Sequence, residues 1–439
     1  MISPRTGKTL PWRFMQQMQK HLLRASLLAS LAACTGPSTQ PPAFHIAAPR
    51  RAPPTGADAP LFGFFQALDR LSGPGAGSGA PPVVVLQIGD SHTANDSFAS
   101  ALRDRLQARF GNAGRGLLQP GIPFKWYRPE SVSVAESPGG FTAISSFSTS
   151  TVGPFGIAAV RQHAAGPADA TLTQTDGSSI GNAEIEFLAQ PGGGSVEVAA
   201  PPAPPRLVVT NGTPGPVWVQ LAPPPGTSTI TVHAVGDGPV DWLSWSVLRG
   251  TPGVTFSNLG IPGASVGLLD RWDPGIAQAE LAHVQPALVI VAFGTNEGFK
   301  PSLDSAAYEQ DFEQHLAFLH AAAPAASLIV FGAPDGQRKR QRSVPEGTVC
   351  DARYAIPPHL PEVRALAREA AARQNAYYWD WSAAMGGECS MARWADANPP
   401  LGMPDHVHMR TPGYAITANV LFDTLMQAYD RYRATAGGA

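Results

Sequence analysis

The chain has 439 residues, room for two or three domains or for one large domain carrying an insertion, and too long for a single small module. Glycine (45) and proline (44) together fill about a fifth of it, against a usual share of roughly 12%; hydrophobic residues still make up 44%, so cores can be buried and the excess belongs in turns and linkers. The net charge of −2 supplies no basic field for a phosphate backbone, which argues against nucleic-acid binding.

Residues 1–33 hold Arg5, Lys8, Arg13, Lys20 and Arg24 and no acid, and end in a short apolar run, 25–33, closing on Leu31-Ala32-Ala33-Cys34. A basic n-region, an apolar stretch too short to span a bilayer and small residues ahead of a cysteine resemble a bacterial lipoprotein signal. That resemblance implies cleavage before Cys34, a lipid on Cys34, and attachment to a membrane in the bacterial cell envelope, on the periplasmic side, through the lipid alone. The n-region is long, so Met15 or Met18 is an alternative start, and an untidy cytoplasmic N-terminus is the plain alternative. Residues 34–60 are Pro/Ala-rich and read as a tether. With Cys34 taken by lipid, Cys350 and Cys389 remain, compatible with one disulfide in an oxidising envelope or with two buried thiols. Two thiols without CxxC spacing, and no HExxH, make a structural zinc site improbable.

A helix is expected over 61–71. Residues 83–88 (VVVLQI) form a continuous apolar run, the mark of a strand buried on both faces of a parallel sheet. Residues 97–110 carry Phe98, Leu102, Leu106 and Phe110 on one helical stripe, ended by Gly111. From 114 to 250 the texture changes to short alternating stretches between Gly, Pro and Asn, at 183–188, 195–198, 206–210, 217–221, 229–235 and 241–248, which predict an all-β sandwich or jelly roll. The α/β rhythm then resumes, with strands expected at 254–258, 287–293, 327–331 and 376–380 and helices at 265–269, 306–323, 361–374 and 411–434. The fold class is therefore α/β, about five parallel strands alternating with helices, in parts 61–113 and 251–439 interrupted by the β block 114–250.

A parallel α/β sheet binds ligands beyond the carboxyl ends of its strands. There the chain places Gly89-Asp90-Ser91-His92, then Asn258-Leu259-Gly260-Ile261-Pro262-Gly263, then Gly294-Thr295-Asn296-Glu297, and, in a late loop, Asp405-His406-Val407-His408. These residue types fit acyl transfer. A serine hydroxyl needs an imidazole to take its proton, and the imidazole needs a carboxylate to fix its tautomer; Ser91, His408 and Asp405 can fill those roles. The tetrahedral oxyanion needs donors already in place, each contributing roughly 3–4 kcal/mol; the N–H groups of Ser91 and Gly263 and the amide of Asn296 are candidates.

These four blocks, in this order and after these strands, resemble the SGNH hydrolase (GDSL esterase/lipase) superfamily. The resemblance covers about 80–115 and 251–434 and implies a flavodoxin-like three-layer domain. It also implies Ser91 as nucleophile, Gly263 and Asn296 in the oxyanion hole with Ser91, Asp405 and His408 completing the triad, and no cofactor or metal. A narrower resemblance is to peptidoglycan O-acetylesterases of the superfamily, which read G-D-S-H and G-T-N-E and carry a carbohydrate-binding-module-like β domain between the first two blocks. It implies an acetylated cell-wall glycan as partner and acetyl on the C6 hydroxyl of muramic acid as the group removed. The lipid anchor and Pro262 depart from that pattern.

Several residues admit plainer readings. Ser91 could cap the following helix, and Asn296 could stabilise its own turn. His406 competes with His408 as base, and Asp405, His406 and His408 could bind a metal. Gly263–Gly267 and Gly177–Gly181 both match G-x-S-x-G, the nucleophile elbow of α/β-hydrolases, but that reading leaves the Ser91 and Asn296 blocks unexplained. Trp126, Tyr127, Trp218, Trp242 and Trp245 could stack on sugars or fill the sandwich core. Transfer of the acetyl group to a sugar, or glycan binding without catalysis, are the alternative functions.

Overall fold

The computed structural model describes residues 54–72, 80–341 and 347–434, so the expected leader, Cys34 and most of the expected tether lie outside the described residues. Five parallel strands form one sheet, in the spatial order Val254–Gly260, Val83–Gly89, Leu288–Ala292, Ser327–Gly332, Tyr377–Asp380. Numbered along the chain this is 2-1-3-4-5, the flavodoxin-like order, whose switch point lies between the first and third strands. Side chains alternate across a strand, and they do so here. Leu86 and Ile88 join Val289, Val291, Leu328 and Val330 in a core under the helices Pro274–Val284, Ser305–Ala322 and His359–Arg373. Val85 joins Phe256, Ile290 and Ile329 under Phe62–Ser72, Asp96–Phe110 and Thr411–Ala434. The result is helix, sheet, helix.

Between the helix ending at Phe110 and the strand starting at Val254 the chain builds two antiparallel sheets. One has six strands: Gly215–Leu221, Asn182–Ala189, Val240–Leu248, Val160–Ala164 and Thr142–Ser145 in spatial order, with Gly114–Leu118 also paired to Val240–Leu248. The other has five: Val132–Glu136, Ala168–Gln174, Thr229–Ala234, Ser195–Ala199 and Arg206–Val209. Ile185, Phe187, Trp242 and Trp245 of the first meet Leu172, Val198, Ile230 and Val232 of the second in one core, the packing of a sandwich. Trp242 and Trp245 are thus core residues, and Tyr127 is buried as well.

The β block is docked on the α/β layer by apolar and polar contacts. Leu117, Ile157, Ala159 and Val160 enter the same core as Leu86 and Ile88. Trp218 stacks on His283 of the helix Pro274–Val284, with centroids 4.2 Å apart. Buried beside them, Glu280 accepts the Ile157 N–H at 2.6 Å, while its neighbour Glu186 accepts the Ser244 hydroxyl at 2.6 Å. Burial pushes both carboxyls above their ordinary value.

Local structure departs from the sequence expectation in several places, three of them near the site or in the β block. The segment expected as a helix at 265–269 is a 3-10 turn, Val266–Arg271. A full helix, Pro274–Val284, follows it, with Asp273 accepting the N–H groups of Gly275 and Ile276 and a proline at its first position. Four strands between 132 and 174 were not individually expected.

Candidate active site

Gly89 stands at the level of Gly260 on one neighbouring strand and of Ala292 on the other, so the first three blocks leave the sheet side by side. A Cβ on Gly89 would lie 2.3 Å from the Thr93 hydroxyl and 2.5 Å from the Ala292 carbonyl, which explains the glycine. Asp90 then turns the chain into the short helix Ser91–Ala94 by accepting the His92 N–H at 2.9 Å. Asn258, the first residue of the second block, fixes this turn from the next strand: its amide donates to the Thr93 carbonyl at 3.0 Å and to Asp96 at 2.9 Å.

Ser91 Oγ lies 2.9 Å from His408 Nε2, and His408 Nδ1 lies 2.7 Å from Asp405 Oδ2. The D-x-x-H spacing has a local cause. Asp405 Oδ1 accepts the backbone N–H groups of Val407 (2.9 Å) and His408 (3.0 Å), so the carboxylate folds its own loop back and presents its second oxygen to the imidazole. Partial burial opposes ionisation of Asp405, but these hydrogen bonds outweigh it and hold its pKa well below the usual carboxylate range. The hydrogen bond from Asp405 correspondingly raises His408 above its ordinary 6.5, against partial burial.

Gly263 has φ +81°, a left-handed conformation that favours glycine, and among the described residues its N–H meets no protein acceptor. Ser91 opens a helix, where the first N–H groups have no intrahelical partner. Asn296, on the turn Thr295–Gly298, donates one amide hydrogen to the Ala264 carbonyl at 2.7 Å, and among the described residues the other meets no protein acceptor. The residue that joins these pieces is Glu297, buried, whose two oxygens accept the N–H of Val266 (2.7 Å) and of Gly294 (3.1 Å). It ties the third block to the loop that carries Gly263.

His406 is not on this chain of contacts. Held at φ +59°, it is buried, its ring stacked on Tyr354 with centroids 3.6 Å apart and its Nδ1 3.1 Å from Gln337 Oε1. No group of three metal-ligating side chains occurs among the described residues. Ser178 donates to Asp176 on an exposed turn, and Ser265 precedes the 3-10 turn with no side-chain capping bond.

Comparison with known proteins finds similarity to esterases. The GDSL-like lipase/acylhydrolase family matches residues 226–416, a span that holds Gly263, Asn296, Asp405 and His408. A solved peptidoglycan O-acetylesterase is similar over 86% of this chain and 98% of its own, at 28% identity and a TM-score of 0.70. The chain is an esterase similar to the SGNH hydrolases. A GDSL-like lipase from Parabacteroides merdae (18% identity, 42% of this chain and 74% of that one, TM-score 0.29) and a family two carbohydrate esterase from Clostridium thermocellum with cellohexaose (12%, 66% and 98%, TM-score 0.29) also match. No curated protein sequence matches.

Two further groups line the back of the esterase site. His92 is buried, with Nδ1 2.9 Å from the Tyr414 hydroxyl and its ring 5.1 Å from that of His408; burial, reinforced by His408, holds its pKa well below 6.5, so it is neutral. Burial, reinforced by Glu297, pushes Asp90 up to about 7 against the His92 N–H bond. Both are packed supports for the Ser91 turn. Cys350 and Cys389 form a disulfide, which ties the loop before the helix His359–Arg373 to the segment leading toward Asp405.

Proposed function

We propose that the esterase removes O-acetyl groups from peptidoglycan through a Ser91-His408-Asp405 triad. The observation that carries this reading is the unbroken hydrogen-bonded chain from Ser91 through His408 to Asp405, set beside Gly263 and Asn296. His408 Nε2 accepts the hydroxyl proton as Ser91 Oγ bonds to the acetyl carbonyl carbon. The negative charge moves to the carbonyl oxygen, met by the N–H groups of Ser91 and Gly263 and the free amide hydrogen of Asn296, where each donor lowers the barrier by roughly 3–4 kcal/mol. Collapse breaks the bond to the sugar oxygen, which takes the proton from His408. A water, deprotonated by His408, then attacks the acetyl-serine and releases acetate. Asp405, ionised throughout, holds the imidazole tautomer and stabilises the imidazolium.

The glycan assignment is supported by the likeness to the peptidoglycan O-acetylesterase, and an envelope location by the Cys350–Cys389 disulfide together with the lipoprotein-like leader. Acetate release from O-acetylated and from de-O-acetylated peptidoglycan tests the substrate. Release from the first alone is expected; cleavage of a small chromogenic acetate with none from the glycan would retire peptidoglycan as the substrate.

A further inference from the structure

The oxyanion turn has a neighbour from the β block. Phe147 lies in the loop between the strands Thr142–Ser145 and Val160–Ala164, and its ring edge comes within 3.2 Å of where a Cβ on Gly263 would stand. Yet the residue is 53% exposed, unusual for a phenylalanine, whose large apolar surface is normally buried. Val152, on the same loop, is 78% exposed, so this loop carries two solvent-exposed apolar side chains, of which Phe147 lies at the oxyanion turn.

The loop is built to hold its shape. The Thr151 hydroxyl shares its one hydrogen between the carbonyls of Ser145 (2.6 Å) and Ser148 (2.7 Å), and the Phe147 N–H donates to Ser145 Oγ at 3.2 Å. The Arg271 guanidinium donates to the carbonyls of Ser148 (3.3 Å) and Thr151 (2.6 Å). Arg271 closes the 3-10 turn that follows Gly263, so one short segment of the α/β layer supplies both the expected oxyanion donor and the clamp on the loop that carries Phe147. An exposed apolar ring carried on a braced loop is partly preorganised for a ligand, because the ordering cost of the loop is met before binding.

We infer that Phe147 is a specificity residue of the esterase, its ring the platform for the sugar that bears the acetyl group, so that the β block completes the active site. This rests on the proposed glycan substrate. An acetyl group is small, and the bulk of such an ester lies on its alcohol side, a pyranose with an apolar C–H face. The negative face of an aromatic ring attracts polarised C–H edges, and a ring beside the oxyanion turn meets the sugar once the carbonyl oxygen sits against Gly263. A small chromogenic ester has no sugar to place there.

The test compares wild-type enzyme with Phe147→Ala and Phe147→Trp on O-acetylated peptidoglycan and on a small chromogenic acetate, read as the ratio of the two kcat/KM values. Phe147→Ala should lower that ratio roughly three- to tenfold, mainly through KM for the glycan, and Phe147→Trp should restore it. An unchanged ratio, whether both activities persist or both fall together, overturns the inference. If the wild-type enzyme cleaves the small ester and leaves the glycan acetylated, the substrate reading fails first, and this inference with it.

Discussion

Glu297→Gln separates the two tasks that Glu297 performs. The wild-type carboxylate accepts two buried N–H groups, from Gly294 and Val266, and so fixes the Asn296 turn against the Gly263 loop. Glutamine has nearly the same volume but replaces one acceptor oxygen with a donor, so one of those N–H groups faces an NH2. A buried donor left without an acceptor costs about 1–3 kcal/mol, so unfolding in urea should show a stability loss of that size. The activity loss follows from position. Neither Gly263 nor Asn296 changes identity, but displacing donors by an ångström or less weakens a term that depends on their being in place before the charge develops. On a small chromogenic acetate, kcat should fall about 10- to 100-fold, with KM close to wild type. A variant destabilised as expected but with wild-type kcat would show that the two turns need no such alignment. Wild-type stability would refute the hydrogen-bond argument itself.

The proposed mechanism requires neutral His408, and its pKa is raised above 6.5 by the bond to Asp405. The acid limb of kcat/KM against pH should therefore lie above 6.5; Asp405→Asn should move it down and reduce kcat by on the order of 10³–10⁴-fold. The Glu186–Glu280 pair makes stability pH-dependent with the opposite sign to ordinary carboxylates. Both carboxyls titrate higher in the folded state than their ordinary 4.5, so the folded protein holds the extra proton, and stability should fall as pH rises from 4.5 through about 7, where Glu186 titrates, by at most about 1.4 kcal/mol per pH unit for each proton. Glu280→Gln, which stays neutral beside Glu186, Glu184 and His283, should flatten that slope in denaturant titrations at several pH values. The Cys350–Cys389 bond closes a loop of 39 residues, for which chain entropy predicts about 4 kcal/mol. Replacing both cysteines with serine should lower the unfolding midpoint to that of the reduced wild-type protein; no difference between oxidised and reduced protein would contradict it.

The parts of the site visible from sequence are those governed by local rules. A buried parallel strand must be apolar, and the polar residues of the first three blocks stand out because each follows such a run. Asp405 and His408 are legible as a pair because the carboxylate folds its own loop through the N–H groups of residues 407 and 408. The helix Pro274–Val284 is hidden because Pro274-Gly275 resembles a turn, although Asp273 before a first-position proline is a helix start. The strands Val160–Ala164 and Ala168–Gln174 alternate in burial, but Gln162, Ala164, Ala168 and Ala170 fill most of their buried positions, so period-two hydrophobic patterning is faint in the sequence. Neither the acceptor role of Glu297 nor the position of Phe147 has a sequence signal: one depends on a loop 31 residues earlier, the other on a contact between the β block and the α/β layer. Spacing leaves His406 competing with His408; the structure turns His406 toward Tyr354 and Gln337.

The central claim is that Ser91 carries the acetyl group. Acetate released from O-acetylated peptidoglycan by wild-type enzyme and by Ser91→Ala, with folding of the variant checked by its unfolding midpoint, measures this directly. The account predicts release by the wild type and none above background by a folded Ser91→Ala. Release by that variant at a rate near wild type would contradict it.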